Sequence, residues 1–245
     1  MLLRVSVFTL LAVGACVPED KPGHGSATGP ASASAPFHVV DPHAGEGPKL
    51  ESRFTDSFER GELGPDWNIT GPGWSLNGGR LCVAGAHNHP AWLRRRLPVN
   101  ARIEFEATSS SPEGDLKAEA WGNGSSAATA TSYRDATSYI IIFGGWKNTM
   151  HVLARLDEHA RDRTELRVEP GESDPRVQPV LPDRTYRFKI QRTDGQTVRY
   201  FVDDVEILNL KDPNPLVGEG HEHFAFNDWQ VPACFDNLII TPLKS

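Results

Sequence analysis

The segment His221–Trp229 places two imidazoles, an amide and an indole on one alternation phase. In an extended chain Phe224 and Phe226 point one way, while His221, His223, Ala225 and Asn227 point the other, with Trp229 following in phase. Such a face suits a sugar, whose hydroxyls meet polar groups and whose C–H face lies on an aromatic ring. In Lys117–Asn123, Glu119, Trp121 and Asn123 share a face, and Ala118, Ala120 and Gly122 form the other. The Gly-rich turn Phe143–Asn148 presents Trp146 and Asn148. After it His151, Arg155 and Asp157 lie in phase, opposite Val152, Ala154 and Leu156. If these strands share a concave sheet, their polar faces make one ligand groove. The competing reading puts Trp121 and Trp146 in the core.

Other chemistries are weaker. Glu104 and Glu106 share a strand face roughly 7 Å apart, near the spacing of glycosidase carboxylates, although beside Arg102 they also fit a solvated face. His151, Arg155 and Glu119 together would support β-elimination on an acidic sugar, with His as base and Arg pairing the carboxylate. His221-x-His223 is a strand chelate that Asp157 or His159 would have to complete.

Short strands must position these residues. Arg102–Ala107 alternates cleanly, as do Tyr186–Gln191 and Val198–Val202, and Asp194-Gly195 between the last two signals a hairpin. Further strands are expected at 53–58, 73–77, 80–84, 91–96, 115–122, 138–144, 149–156, 163–168 and 222–227. Residues 169–183, with four prolines, read as a loop; no helix and no internal repeat stands out. The 22 glycines and 19 prolines among 245 residues fit many turns. The pattern points to an all-β, two-sheet antiparallel sandwich or jelly roll. A net charge of −7 argues against a general nucleic-acid binder.

The N-terminus reads as an address. Residues 1–15 have a positive Arg4, a brief apolar run and small residues before Cys16, too short a stretch to span a membrane. Val13-Gly14-Ala15-Cys16 resembles a bacterial lipobox, which implies cleavage before Cys16 and lipidation of it. By analogy with the enteric sorting rule, Val17 favours the outer membrane over the inner. Residues 16–50, rich in Pro, Gly, Ala and Ser, read as a tether with scattered His24, His38 and His43, leaving 51–245 as the domain. In a compartment that permits disulfides, Cys82 near the domain start and Cys234 in the last strand are expected either to bridge or to remain two buried thiols.

A family resemblance rests on three stretches. Phe54-Thr55-Asp56-Ser57-Phe58-Glu59, then Gly64-Pro65-Asp66-Trp67 and Trp74–Leu81, resemble the opening of concanavalin A-like (laminin G-like) jelly rolls; Tyr186–Asp204 and Phe235–Ile240 resemble their last strands. The resemblance implies a structural calcium held by Asp56, the Gly79 carbonyl and Asp236. That superfamily includes lectins, carbohydrate-binding modules, glycoside hydrolases and polysaccharide lyases. Its glucanase branch carries a strand motif Glu-x-Asp-x-x-Glu that is absent here. The resulting expectation is an envelope lipoprotein that binds a polysaccharide or oligosaccharide without cleaving it. The alternatives are a glycoside hydrolase or polysaccharide lyase using the same groove, or a structural or interaction protein of the cell envelope.

Overall fold

Period-two alternation carries directly into strands: along Ala101–Ser109 every second residue is buried. The structure is a computed structural model and describes residues 47–244. The signal segment, Cys16 and the tether as far as residue 46, with its three histidines, lie outside the described residues. The strands, in chain order, are β1 (Phe54–Asp56), β2 (Trp67–Ile69), β3 (Ser75–Asn77), β4 (Arg80–Val83), β5 (Ala91–Leu93), β6 (Ala101–Ser109), β7 (Leu116–Gly122) and β8 (Tyr139–Gly144). They continue with β9 (Met150–Arg155), β10 (Thr164–Arg167), β11 (Thr185–Arg192), β12 (Thr197–Val202), β13 (Val205–Lys211), β14 (His223–Asn227) and β15 (Ala233–Pro242).

Two antiparallel sheets result. One runs β13-β12-β11-β6-β15-β4-β3, with β1 also pairing β15; the other runs β10-β9-β8-β7-β14-β5-β2. Phenylalanines from both sheets meet between them: Phe226 stacks on Phe235 at 4.3 Å and lies edge-on to Phe105 at 5.1 Å. Each such ring contributes about 1.5–3 kcal/mol by leaving water. The Asp194-Gly195 hairpin joins β11 to β12 as expected, its Asp194 carboxylate accepting from the Gln196 and Thr197 N–H groups. Cys82 and Cys234 face each other across β4 and β15 and form the disulfide.

The folded region begins earlier than residue 51. Arg96 N–H donates to Pro48 O, Leu50 N–H donates to Arg96 O, and the Leu50 side chain is buried in the core. The loop at 169–183 holds one short 3-10 turn, Pro175–Val177, capped by Asp174.

Candidate functional site

The face of the seven-stranded sheet turned away from its partner sheet is built from alternate residues. Leu116, Ala118 and Ala120 of β7 point into the inter-sheet core, which leaves Lys117 and Glu119 outward. Phe224 and Phe226 of β14 point inward, which leaves His223, Ala225 and Asn227 outward. Ile140, Ile142, Val152 and Ala154 join this outer face, where they pack with Tyr133 and Ala136. All these outward side chains are nevertheless buried.

The segment 123–138 between β7 and β8 covers them like a strap. Its Gly, Ser, Ala and Thr residues are small enough to lie close to the sheet. The Asn68 amide donates to Gly124 O (3.1 Å), Trp92 Nε1 donates to Ser126 O (2.8 Å), and Ala128 N–H donates to Asn88 O (2.9 Å).

Beneath the strap lies a polar network. Tyr133 OH and Ser138 Oγ donate to Glu119 Oε2, and the Asn227 amide donates to Glu119 Oε1 at 2.7 Å. Burial pushes the Glu119 carboxyl up to about 7 against these donors. Lys117 Nζ donates to Glu158 Oε2 (2.9 Å) and Asn88 Oδ1 (2.8 Å). Burial alone would lower the Lys117 pKa, but the charges of Glu158 and Asp115 hold it above its ordinary value. Asp115 is pushed up by burial, opposed by Lys117 and by the N–H of Trp229.

At one end of the strands the strap leaves an opening of about 340 Å³. Asp115, Lys117 and Glu158 line it together with Thr131 and Ser132 of the strap, and the half-buried indoles Trp146 and Trp229 belong to its wall. Trp146 is presented by a left-handed turn, Gly145–Asn148, in which Trp146, Lys147 and Asn148 have φ of 49°, 59° and 61°. Three such L-residues cost about 1–2 kcal/mol each. Asn148 offsets this cost by donating to Val180 O and Pro112 O and accepting from Val180 N–H. Gly144, at φ 77°, precedes the turn where a Cβ would collide with Val180 and Asn148. Arg163 lies 4.5 Å over the Trp146 ring.

Trp229 is fixed from the other side. Asp228 accepts from the N–H groups of Gly85, Ala86 and Val231, and His87 packs edge-on to the Trp229 ring at 4.8 Å. Burial pushes the Asp228 carboxyl up to about 7.

No protein-family model matches this sequence, and no curated protein does. Solved structures do match. A lichenase from a mouse hindgut metagenome is 9% identical, covering 78% of this chain and 99% of its own, with a TM-score of 0.51. A structure described under endo-acting O-glycanases of the human gut microbiota is 12% identical, with the same coverages and TM-score. The carbohydrate-binding module CBM66 from Bacillus subtilis is 12% identical over 72% of this chain and 95% of its own, at a TM-score of 0.48. The fold is a concanavalin A-like jelly roll. At these identities the likeness concerns the fold alone.

Within this jelly roll the expected groove residues separate. Trp146 and Trp229 reach the opening. Glu119, His223 and Asn227 share the outer face but lie under the strap. Asn123 starts the strap, its side-chain oxygen accepting from the N–H groups of Ser125 and Ser126.

Trp121 is a correction. The register between β7 and β14 shifts after His223, leaving Trp121 as the extra residue of a bulge, at φ 57°, with its ring in the inter-sheet core. There its Nε1 donates to Pro98 O, and Arg192 stacks on its face at 4.1 Å.

His151 and Arg155 are also corrected. Val152 and Ala154 are indeed buried, but beneath the strap, so His151 and Arg155 take the opposite phase, away from the outer face. His151 stacks on Phe143 at 4.2 Å and accepts from Gly144 N–H; burial lowers its pKa to about 4. Arg155 pairs with Asp212 at 2.7 Å. Asp157 accepts from His159 N–H in the turn after β9. The acidic-sugar trio of His151, Arg155 and Glu119 is therefore split between two faces.

His221 and His223 do not converge, because their Nδ1 atoms meet Thr137 O and Leu93 O respectively. Glu104 and Glu106 sit on the other sheet, opposite Lys189 and Arg187 of β11. Of the set expected for calcium, Asp56 is already engaged. The Asp56 carboxylate is taken by the Arg60 guanidinium, Trp67 Nε1 and Phe58 N–H, so its charge is already matched. The Glu59 carboxylate lies beside Gly79, and Asp236, which accepts from Asn237 N–H, is pushed up by burial and by the charges of Glu106 and Glu59. Among the described residues no three His, Cys, Asp or Glu side chains are grouped to hold a metal.

Asp115, Glu158, Asn88, Asp228 and Tyr133 were absent from the sequence expectation. Lys117 and Asp115 had a signal, since both share the phase of Glu119 in the strand expected at 115–122. The others arrive from loops, and nothing local marks them.

Proposed function

We propose that the domain binds a glycan without cleaving it, in the opening between Trp146 and Trp229. The observation that carries this reading is the pair of half-buried indoles on a cavity of about 340 Å³ that Asp115, Lys117 and Glu158 also line. Indoles stack on the C–H face of sugar rings, while carboxylates and an ammonium meet hydroxyls. The jelly rolls with similar folds include a lichenase, which supports a glycan as the class of partner.

Binding is favoured over hydrolysis because, of the carboxyls that line the opening, Asp115 and Glu158 are engaged, which leaves Glu113 without the second acid that glycoside hydrolysis uses. Glu158 holds Lys117, Asp115 accepts from Trp229 N–H, and Glu119, whose pKa near 7 would suit a general acid, is sealed under the strap. A lyase acting on an acidic sugar loses its support with the separation of His151 and Arg155 from Glu119. A glycan array on the purified protein, followed by chromatography of each hit after prolonged incubation, tests the reading. Retention without new products is expected. Shortened products would establish an enzyme, and an empty array would return the domain to the structural or interaction class.

A further inference from the structure

We infer that this opening takes the end of a glycan chain and not an internal stretch; the inference rests on the glycan reading above. A polysaccharide lying across a sheet needs an uninterrupted face running over successive strands. Here the strap removes that face. It is bonded to β2 through Asn68, to β5 through Trp92 and to β7 through Tyr133 and Glu119, and it closes over Asn88 as well. Trp92, Ala225, Asn227 and Glu119 are consequently without solvent exposure.

What remains is a bay at the strand ends. Thr131 and Ser132 of the strap line it, as do Trp146 from its left-handed turn and Trp229. Its volume, about 340 Å³, lies at the small end of ligand sites. The strap is not a loose flap. Lifting it would leave Glu119 Oε2, the Trp92 and Asn68 donors and the Asn88 carbonyl without their present partners. A chain therefore inserts its end beside the strap, and its remaining sugars extend into solvent. The polar groups of the bay then serve one or two rings, and additional sugars add little affinity.

The test is titration with a length series of neutral oligosaccharides, their parent polymers, and the same chains capped at either end. Wild type, Trp146→Ala, Trp146→Phe and Trp229→Ala are compared, with melting temperatures recorded for all four. The expected result is an affinity that levels off after the first two or three sugars. Capping one particular end should weaken binding about tenfold or more, and Trp146→Ala should weaken every member of the series while Trp146→Phe retains most of the affinity. Affinity that keeps rising with chain length, or that ignores caps at both ends, yet still depends on the two indoles, overturns the chain-end inference alone. Absence of binding, or binding indifferent to both indoles in variants that melt normally, overturns the glycan reading and this inference with it.

Discussion

Trp121 and Trp146 are both indoles beside a glycine, yet one belongs to the core and the other to the opening. The difference is a single bulged residue. At Trp121 the bulge turns the ring inward onto Tyr139 and Arg192. Trp121→Ala should therefore cost about 3–5 kcal/mol of stability, read from denaturant melts, and leave Arg192 without its ring. A loss below about 1 kcal/mol would place the indole outside the core.

Glu119 has a pH signature. Burial raises its carboxyl from 4.5 to about 7, so the folded protein keeps a proton that the unfolded chain has released. The corresponding stability is fully present below the unfolded value and is lost as pH rises through about 7. Asp228, also raised to about 7 by burial, acts with the same sign. His151, lowered to about 4, acts oppositely and adds stability as pH rises toward its unfolded value of 6.5. Glu119→Gln should thus flatten the decline in melting temperature between about pH 4.5 and 7, the range in which the folded carboxyl keeps a proton that the unfolded one has lost. An unchanged profile would show that Glu119 ionises normally.

Strands were readable because alternation survives wherever one face is packed. Phe224 and Phe226 were placed inward correctly for this reason, and the Asp194-Gly195 hairpin follows from its turn chemistry. The sides of β9 were not readable. The strap buries the outer face too, so Val152 and Ala154 look like inter-sheet core residues although they lie on the other side. Nor does a run of small polar residues at 123–132 announce that it will fold back over a sheet.

The cross-strand disulfide was open in the sequence and formed in the structure. It joins residues 152 positions apart. Chain-entropy reasoning puts its contribution at up to about 5 kcal/mol, with measured values commonly lower. Reduced protein should unfold at lower denaturant than oxidised protein. Equal midpoints would show that the sheet pairing of β4 and β15 suffices.

At the scale of the whole chain, the folded domain begins by Pro48, and what precedes it was read from sequence alone. We propose that Cys16 carries a lipid that holds the jelly roll at the bacterial envelope, the outer membrane being favoured by Val17. Cys16→Ser should then move the protein from the membrane to the soluble fraction and abolish palmitate labelling; persistent labelling would refute the anchor. Held there, a net-negative domain with its strapped sheet and two-indole bay would meet glycans at the cell surface.

The most direct measurement of that central claim is the affinity of an array-selected glycan for wild type, Trp146→Ala and Trp229→Ala, taken together with their melting temperatures. Both substitutions should weaken binding about tenfold or more while the fold melts nearly as before, since each indole is half-buried at the opening. Unchanged affinity in both variants would contradict the account, because the sugar would then be bound elsewhere.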